Sequence, residues 1–191
     1  MFSELLSPTA LAKLIISRRI TPGDNVVDAT AGNGHDTLFL AELVGRFGKV
    51  YSFDIQSEAL EATQERLKKQ NLLATVTCIN DSHKMIDQYV PKPISGAMFN
   101  LGYLPGGDHS IATVVEESLP AIKIVLDLLK ISGLVTIVTY PGHAEGKREE
   151  EKISEFVHSL DKERFAVMIT KFIKKSGDPP NVIAIEKGRG I

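Results

Sequence analysis

Short apolar runs alternate along this chain with longer stretches in which apolar residues recur at helical spacing. Ser7-Pro8-Thr9 followed by Ala10, Leu11, Leu14 and Ile15 predicts a capped amphipathic helix over 8–19, and Thr21-Pro22-Gly23-Asp24 a turn. Buried strands are expected at 25–29, 49–55, 75–80, 95–101 and 133–140, with helices over 36–44, 57–70, 82–89 and 145–160. Ser57 is expected to cap the second of these. Ile111, Val115, Leu119, Ile122, Leu126 and Leu129 mark one face of a longer helical region, kinked or restarted at Pro120. Two last strands, 165–173 and 181–186, are separated by Gly177-Asp178-Pro179-Pro180, too short for a crossover helix. The alternation predicts a doubly wound, mostly parallel α/β sheet of seven strands with helices on both faces and an antiparallel last strand.

Composition adds bounds. With 191 residues, 43% of them hydrophobic, the chain is expected to form a single domain over 1–191 on which the helix over 8–19 packs. The lone Cys78 has no internal disulfide partner, and no Cys/His cluster has metal-ligand spacing, so no metal is expected. No apolar run reaches the roughly 20 residues of a membrane span, which points to a cytoplasmic protein without a membrane partner. A net charge of -2 argues against bulk electrostatic binding to long nucleic acid. Residues 162–191 nevertheless carry seven basic against three acidic side chains, either an ordinary solvated surface or a local basic face for a structured RNA.

Candidate chemistry gathers at the carboxyl ends of the strands. The first runs into Asp28-Ala29-Thr30-Ala31-Gly32-Asn33-Gly34-His35-Asp36-Thr37, whose glycines let a ligand approach the backbone. The second ends in Asp54, 22 residues after Gly32, where an acid can accept both hydroxyls of an adenosine ribose. A pyrophosphate would want a third glycine where Thr37 stands and no acid at the helix start. Asp36 instead suits a cation, the sulfonium and ammonium of S-adenosylmethionine, and Asp28 serves the same end through water. Seven strands with a terminal hairpin look like the Rossmann-like fold of class I S-adenosylmethionine methyltransferases, whose members contact adenine where Asp81, Ser82 and His83 stand.

The fourth strand ends in Asn100-Leu101-Gly102-Tyr103, which resembles the Asn/Asp-Pro-Pro-Tyr signature of enzymes that methylate amino nitrogens. An Asn oxygen can accept a hydrogen bond from the amine and hold its lone pair toward the methyl group. Tyr103 can stack on the base or shield the methyl. Gly106-Gly107-Asp108-His109 reads as a lid. His143, in Tyr140-Pro141-Gly142-His143-Ala144-Glu145-Gly146, either caps the next helix or assists deprotonation or hydrogen-bonds the substrate.

Together, D-A-T-A-G-N-G-H-D-T, F-D-I-Q, N-L-G-Y-L-P-G-G-D, Y-P-G-H-A-E-G and P-P-N-x-x-x-I-E-K resemble one bacterial family over essentially the whole chain. These are the small rRNA-methylase-like proteins recognised as tRNA 5-aminomethyl-2-thiouridine methyltransferases, the MnmM or YtqB type. The resemblance implies S-adenosylmethionine-dependent methylation of the aminomethyl nitrogen of wobble uridine 34, with the tRNA anticodon region as partner and a homodimer as an expectation. It also implies Asn33, Asp36, Asp54, Gln56, Ser82 and His83 on the cofactor side, and Asn100, Tyr103, Asp108 and His143 on the substrate side. Methylation of an rRNA base or a small-molecule amine, a nicotinamide-dependent oxidoreductase and a non-catalytic binding module are the competing readings.

Overall fold

The computed structural model describes residues 7–103, 112–172 and 179–190. Seven strands form one sheet: β1 (Asn25–Asp28), β2 (Lys49–Phe53), β3 (Val76–Ile79), β4 (Ile94–Asn100), β5 (Leu129–Thr139), β6 (Phe165–Lys171) and β7 (Asn181–Lys187). Their order is β3-β2-β1-β4-β5-β7-β6. The first five are parallel to one another, and β7 is antiparallel to both β5 and β6. The seven-stranded, mostly parallel sheet with an antiparallel last strand is therefore present, and the strand order reverses between β1 and β4, where doubly wound folds bind ligands.

Six α-helices flank the sheet: α1 (Pro8–Ile16), α2 (His35–Val44), α3 (Ser57–Lys69), α4 (Ile86–Tyr89), α5 (Val115–Leu128) and α6 (Ala144–His158). Successive strand residues point to opposite faces, and both faces are buried, which is why the strands read as continuous apolar runs. Val26, Val50 and Met98 pack with Ala12 and Ile16 of α1, Leu40 and Val44 of α2 and Leu67 of α3. Val27, Phe53 and Phe99 pack with Ile86 of α4, Ile122 and Val125 of α5 and Ile153 and Val157 of α6.

Several boundaries differ from the sequence expectation. Helix α1 stops at Ile16, capped by Ser17, and does not reach residue 19. Ser57 is the first residue of α3 and its cap position is Gln56. Pro120 sits inside a continuous α5 and does not restart it. Strand β2 ends at Phe53, leaving Ile55 outside it and 60% exposed. Strand β5 begins at Leu129, four residues before Gly133, because Leu129 pairs with Ile94 across a register shift and the chain passes through Ser132 at φ 63°. The Ser-Gly pair looks like a strand boundary in the sequence and is an irregularity within a strand.

Candidate functional site

The β1–α2 loop is held from below by a buried carboxylate. Asp28 is 0% exposed. Its Oδ1 accepts the Thr30 N–H at 3.1 Å, and its Oδ2 accepts the Thr37 hydroxyl at 2.6 Å. Thr37, standing where a dinucleotide loop has its third glycine, is thus a strut for the acid, and it also shares a 2.8 Å hydrogen bond with Ser52. The Asp28 carboxyl is pushed up to about 7, first by burial and then by the charges of Asp36 and Asp54, against the lowering effect of its Thr37 and Thr30 bonds.

Asp54 ties the loop to β2. Its Oδ2 accepts the Gly32 N–H at 2.9 Å and its Oδ1 the Gln56 N–H at 3.0 Å. The far side of the loop is pinned by α3: Thr63 donates to the Gly32 carbonyl at 3.1 Å, and Arg66 donates to the Asn33 carbonyl at 2.7 Å. Gly34 crosses this contact at φ 76°, and a Cβ there would lie 2.8 Å from the Thr63 Cα. Asp36, in the first turn of α2, pairs with Lys13 of α1 at 2.9 Å, and the same ammonium donates to the His35 carbonyl at 3.1 Å. Lys13, Thr63 and Arg66 escaped the sequence reading because nothing local distinguishes a lysine or arginine on an amphipathic helix.

Asp81, Ser82 and His83 lie just past β3, beside this loop. His83 Nδ1 is 3.0 Å from the Ala29 carbonyl, so that nitrogen carries the proton and Nε2 is an acceptor; Nε2 is buried with no partner. Burial keeps this imidazole below the ordinary histidine value. Ser82 donates to Glu117 of α5 at 2.5 Å, Lys84 pairs with the same carboxylate at 2.6 Å, and Tyr89 donates to Asp81 at 2.9 Å. Ile55, directly after Asp54, is an exposed apolar side chain at this rim. Its signal in the sequence was its place beside the acid.

The residues expected on the substrate side lie at and just beyond the ends of β4 and β5. The Asn100 N–H donates to the Thr30 hydroxyl at 2.8 Å, which locks β4 to the β1 loop. The Asn100 side chain also hydrogen-bonds the Tyr140 hydroxyl, while its Oδ1 is buried without a partner among the described residues. Burial, aided by the charge of Asp36, pushes the Tyr140 phenol up to about 12, so it remains a hydroxyl that fixes the Asn100 amide. Tyr103 forms a bridge with Ala112, and Thr113 N–H donates to the Gly102 carbonyl at 2.9 Å, so the two ends of the segment 104–111 are joined at its base. Asp108 and the expected lid at 106–109 lie outside the described residues, as do Gly177 and Asp178 of the last hairpin. Glu149, buried in α6 and raised by that burial, accepts from Thr113 at 2.9 Å and from Ser118 at 2.5 Å.

His143 is the N-cap of α6, its Nδ1 accepting the Gly146 N–H at 3.0 Å. That bond needs the Nδ1 lone pair, so the ring proton is on Nε2, and Nε2 is buried with no partner among the described residues. The sequence left capping and a substrate role open. Capping is present, and while it lasts the second nitrogen can donate a hydrogen bond but cannot take up a proton.

The donor set fits a cationic adenosine ligand. Three carboxylates, Asp28, Asp36 and Asp54, border a loop with Lys13 paired to one of them. An acid at the start of α2 opposes a pyrophosphate and favours positive charge. Among the described residues, no group of three His, Cys, Asp or Glu side chains is placed to hold a metal, and no helix is long and apolar enough to cross a membrane.

Comparison with known proteins agrees with this geometry. The family described as "Putative rRNA methylase" matches residues 50–186. A chloroplastic tRNA (mnm(5)s(2)U34)-methyltransferase of Arabidopsis thaliana is 38% identical over 162 residues, 80% of this chain; the chain spans 59% of that relative's length. An rRNA-methylase-like structure from Clostridium thermocellum is 43% identical with a TM-score of 0.93, covering 95% of this chain and 97% of that one. A methyltransferase structure from Streptococcus mutans in complex with SAH is 38% identical with a TM-score of 0.87, covering 95% and 98%.

Proposed function

Since the chain belongs to the family described as putative rRNA methylases, we propose that it is an S-adenosylmethionine-dependent methyltransferase whose target is the aminomethyl nitrogen of wobble uridine 34 in tRNA. The observation that carries the amine target is the buried, unpartnered Oδ1 of Asn100, an acceptor held in place by Tyr140 and ready for an amine N–H. The tRNA and the position within it rest on similarity to the plant enzyme.

When bound, S-adenosylmethionine supplies a methyl group on a positively charged sulfur that a neutral amine displaces. The residues that would hold it are Gly32, Asn33 and Gly34 of the loop, Asp36 toward its charged end, Asp54 and Gln56 at the ribose, and Ile55, Asp81, Ser82 and His83 around the base. Asp28 supports the loop from beneath and supplies negative charge. Asn100 accepts the amine N–H and orients the nitrogen, and Tyr103, 42% exposed, offers a ring face to the target.

The test is nucleoside mass spectrometry of tRNA from cells lacking this gene, before and after incubation with purified protein and S-adenosylmethionine. A gain of one methyl group on 5-aminomethyl-2-thiouridine is expected. Unchanged wobble uridines with intact cofactor binding would overturn the substrate and leave the fold reading standing; methyl transfer to rRNA or a small amine instead would replace it.

A pH dependence follows from Asp28. Its folded-state value of about 7 lies above the ordinary 3.8. Ionising it therefore costs stability that is intact below about 4 and lost as pH rises through about 7. A bound cation offsets that cost, so S-adenosylmethionine binding should release a proton. Its affinity should rise as pH climbs toward about 7 and level off above it, by no more than about tenfold per unit. Asp28→Asn should remove the dependence. Calorimetric titrations across this range, in buffers of different ionisation enthalpy, read both; a pH-independent affinity in the native protein would exclude the coupling.

A further inference from the structure

Two buried polar atoms of opposite character stand at the carboxyl ends of adjacent strands. Asn100 Oδ1, at the end of β4, is an acceptor; His143 Nε2, in the turn between β5 and α6, is an N–H donor, because the Gly146 N–H occupies Nδ1 at 3.0 Å. Asn100 is paired in register with Val138 of β5, and Tyr140 extends from that strand to hydrogen-bond Asn100. The Tyr103 ring, three residues beyond Asn100, lies 6.2 Å from the His143 ring, tilted by 47°. His143 is seated rigidly: a Cβ on Gly146 would come within 2.9 Å of Nε2 and 2.1 Å of the Tyr140 carbonyl. Buried donors and acceptors without partners are rare in proteins, and each calls for a group that completes it.

We propose that Asn100 Oδ1 and His143 Nε2–H form a reading pair that selects an amine flanked by a hydrogen-bond acceptor. The amine N–H is received by Asn100, and the neighbouring acceptor, a ring carbonyl, receives the His143 N–H. In a 5-aminomethylpyrimidine the substituent next to the aminomethyl carbon is that carbonyl in uracil and an amino group in cytosine. The pair therefore accepts the uracil and places two donors against each other in the cytosine. His143 acts here as a specificity residue and carries no proton away. This inference rests on the amine-methyltransferase reading above.

The test compares two synthetic anticodon stem-loops, one with 5-aminomethyl-2-thiouridine and one with 5-aminomethyl-2-thiocytidine at the wobble position. The native protein should favour the uridine RNA in kcat/KM by on the order of 10²-fold or more, since sites built to hydrogen-bond a group reject its mismatch strongly. His143→Asn keeps a side-chain oxygen able to cap Gly146, and its amide NH2 ends short of the Nε2 position, so the donor there is lost. It should lower kcat/KM on the uridine RNA by roughly 10–100-fold and compress the preference to within about tenfold, with unchanged S-adenosylmethionine affinity. If this variant fails to bind S-adenosylmethionine, His143→Gln, which offers an amide N–H, decides by retaining the uridine preference. A preference unaffected by losing the donor, or an equal loss on both RNAs that higher pH relieves, overturns the inference. Methylation of neither RNA by the native protein overturns the wobble-amine reading and this inference with it; methylation of the uridine RNA with an unchanged ratio overturns this inference alone.

Discussion

Asn100→Ala is expected to lower kcat for methyl transfer by on the order of 10²–10³-fold, with S-adenosylmethionine affinity changed by less than about threefold. The size follows from removing one preorganised polar partner of the reacting group, which elsewhere costs about 3–4 kcal/mol of transition-state stabilisation. The split follows from geometry. The Asn100 contact with the cofactor loop is made by its backbone N–H to Thr30, and alanine keeps that bond. What disappears is the side chain whose oxygen has no partner among the described residues and whose amide is held by Tyr140. Single-turnover kinetics with saturating cofactor separates the two quantities. Turnover retained in Asn100→Ala would remove the main support for an amine target.

Gly34→Ala is expected to weaken cofactor binding severely. At φ 76° an L-residue is strained by about 1–2 kcal/mol, and the new Cβ would meet Thr63 backbone and side-chain atoms at 2.8 Å. Overpacking of this kind adds about 1–3 kcal/mol. Relief requires α3 and the loop to separate, which breaks the Thr63 bond to Gly32 and the Arg66 bond to Asn33. Affinity for S-adenosylmethionine should fall at least about 30-fold and Tm by roughly 5–15 °C. Gly23→Ala is the control, because Gly23 also has a positive φ, 94°, but its Cβ would meet nothing within 4 Å. It should lose a few degrees of Tm and no cofactor affinity. Equal cofactor affinity in the Gly34 and Gly23 variants would show that the contact with Thr63 does not shape the binding loop.

The parts of the site that were legible before the fold was known share one property: each lies at a strand end whose position the apolar pattern already marks. Asp54 follows β2, Asn100 closes β4, and His143 stands between β5 and α6. The parts that were not legible act across the fold. Lys13 reaches Asp36 from α1, Arg66 reaches Asn33 from α3, and Glu117 reaches Ser82 from α5. In the sequence each is one more charged residue on a helix, and a helix pattern says which face is polar without saying what that face will meet. Asp28 shows the same division. Its place at the end of β1 was readable, but its complete burial, its bonds to Thr30 and Thr37 and its raised pKa depend on how the loop folds back over it.

Hydrophobic periodicity alone thus determined the α/β class, the seven strands and the antiparallel hairpin, because a sheet buried on both faces needs continuous apolar strands and a short connection cannot cross over. It also placed Gly32, Gly34, Asp54 and Asn100 on one edge, since strand ends in such a sheet share an edge. Tertiary structure alone decided which polar atoms remained without partners. His143 could have been a cap, a base or a donor until the Gly146 N–H took its Nδ1, and Asn100 could have pointed either amide atom outward until Tyr140 held one of them. Hydrogen-bond valence is settled by three-dimensional neighbours, and the chemistry of this site lies in the valences left over.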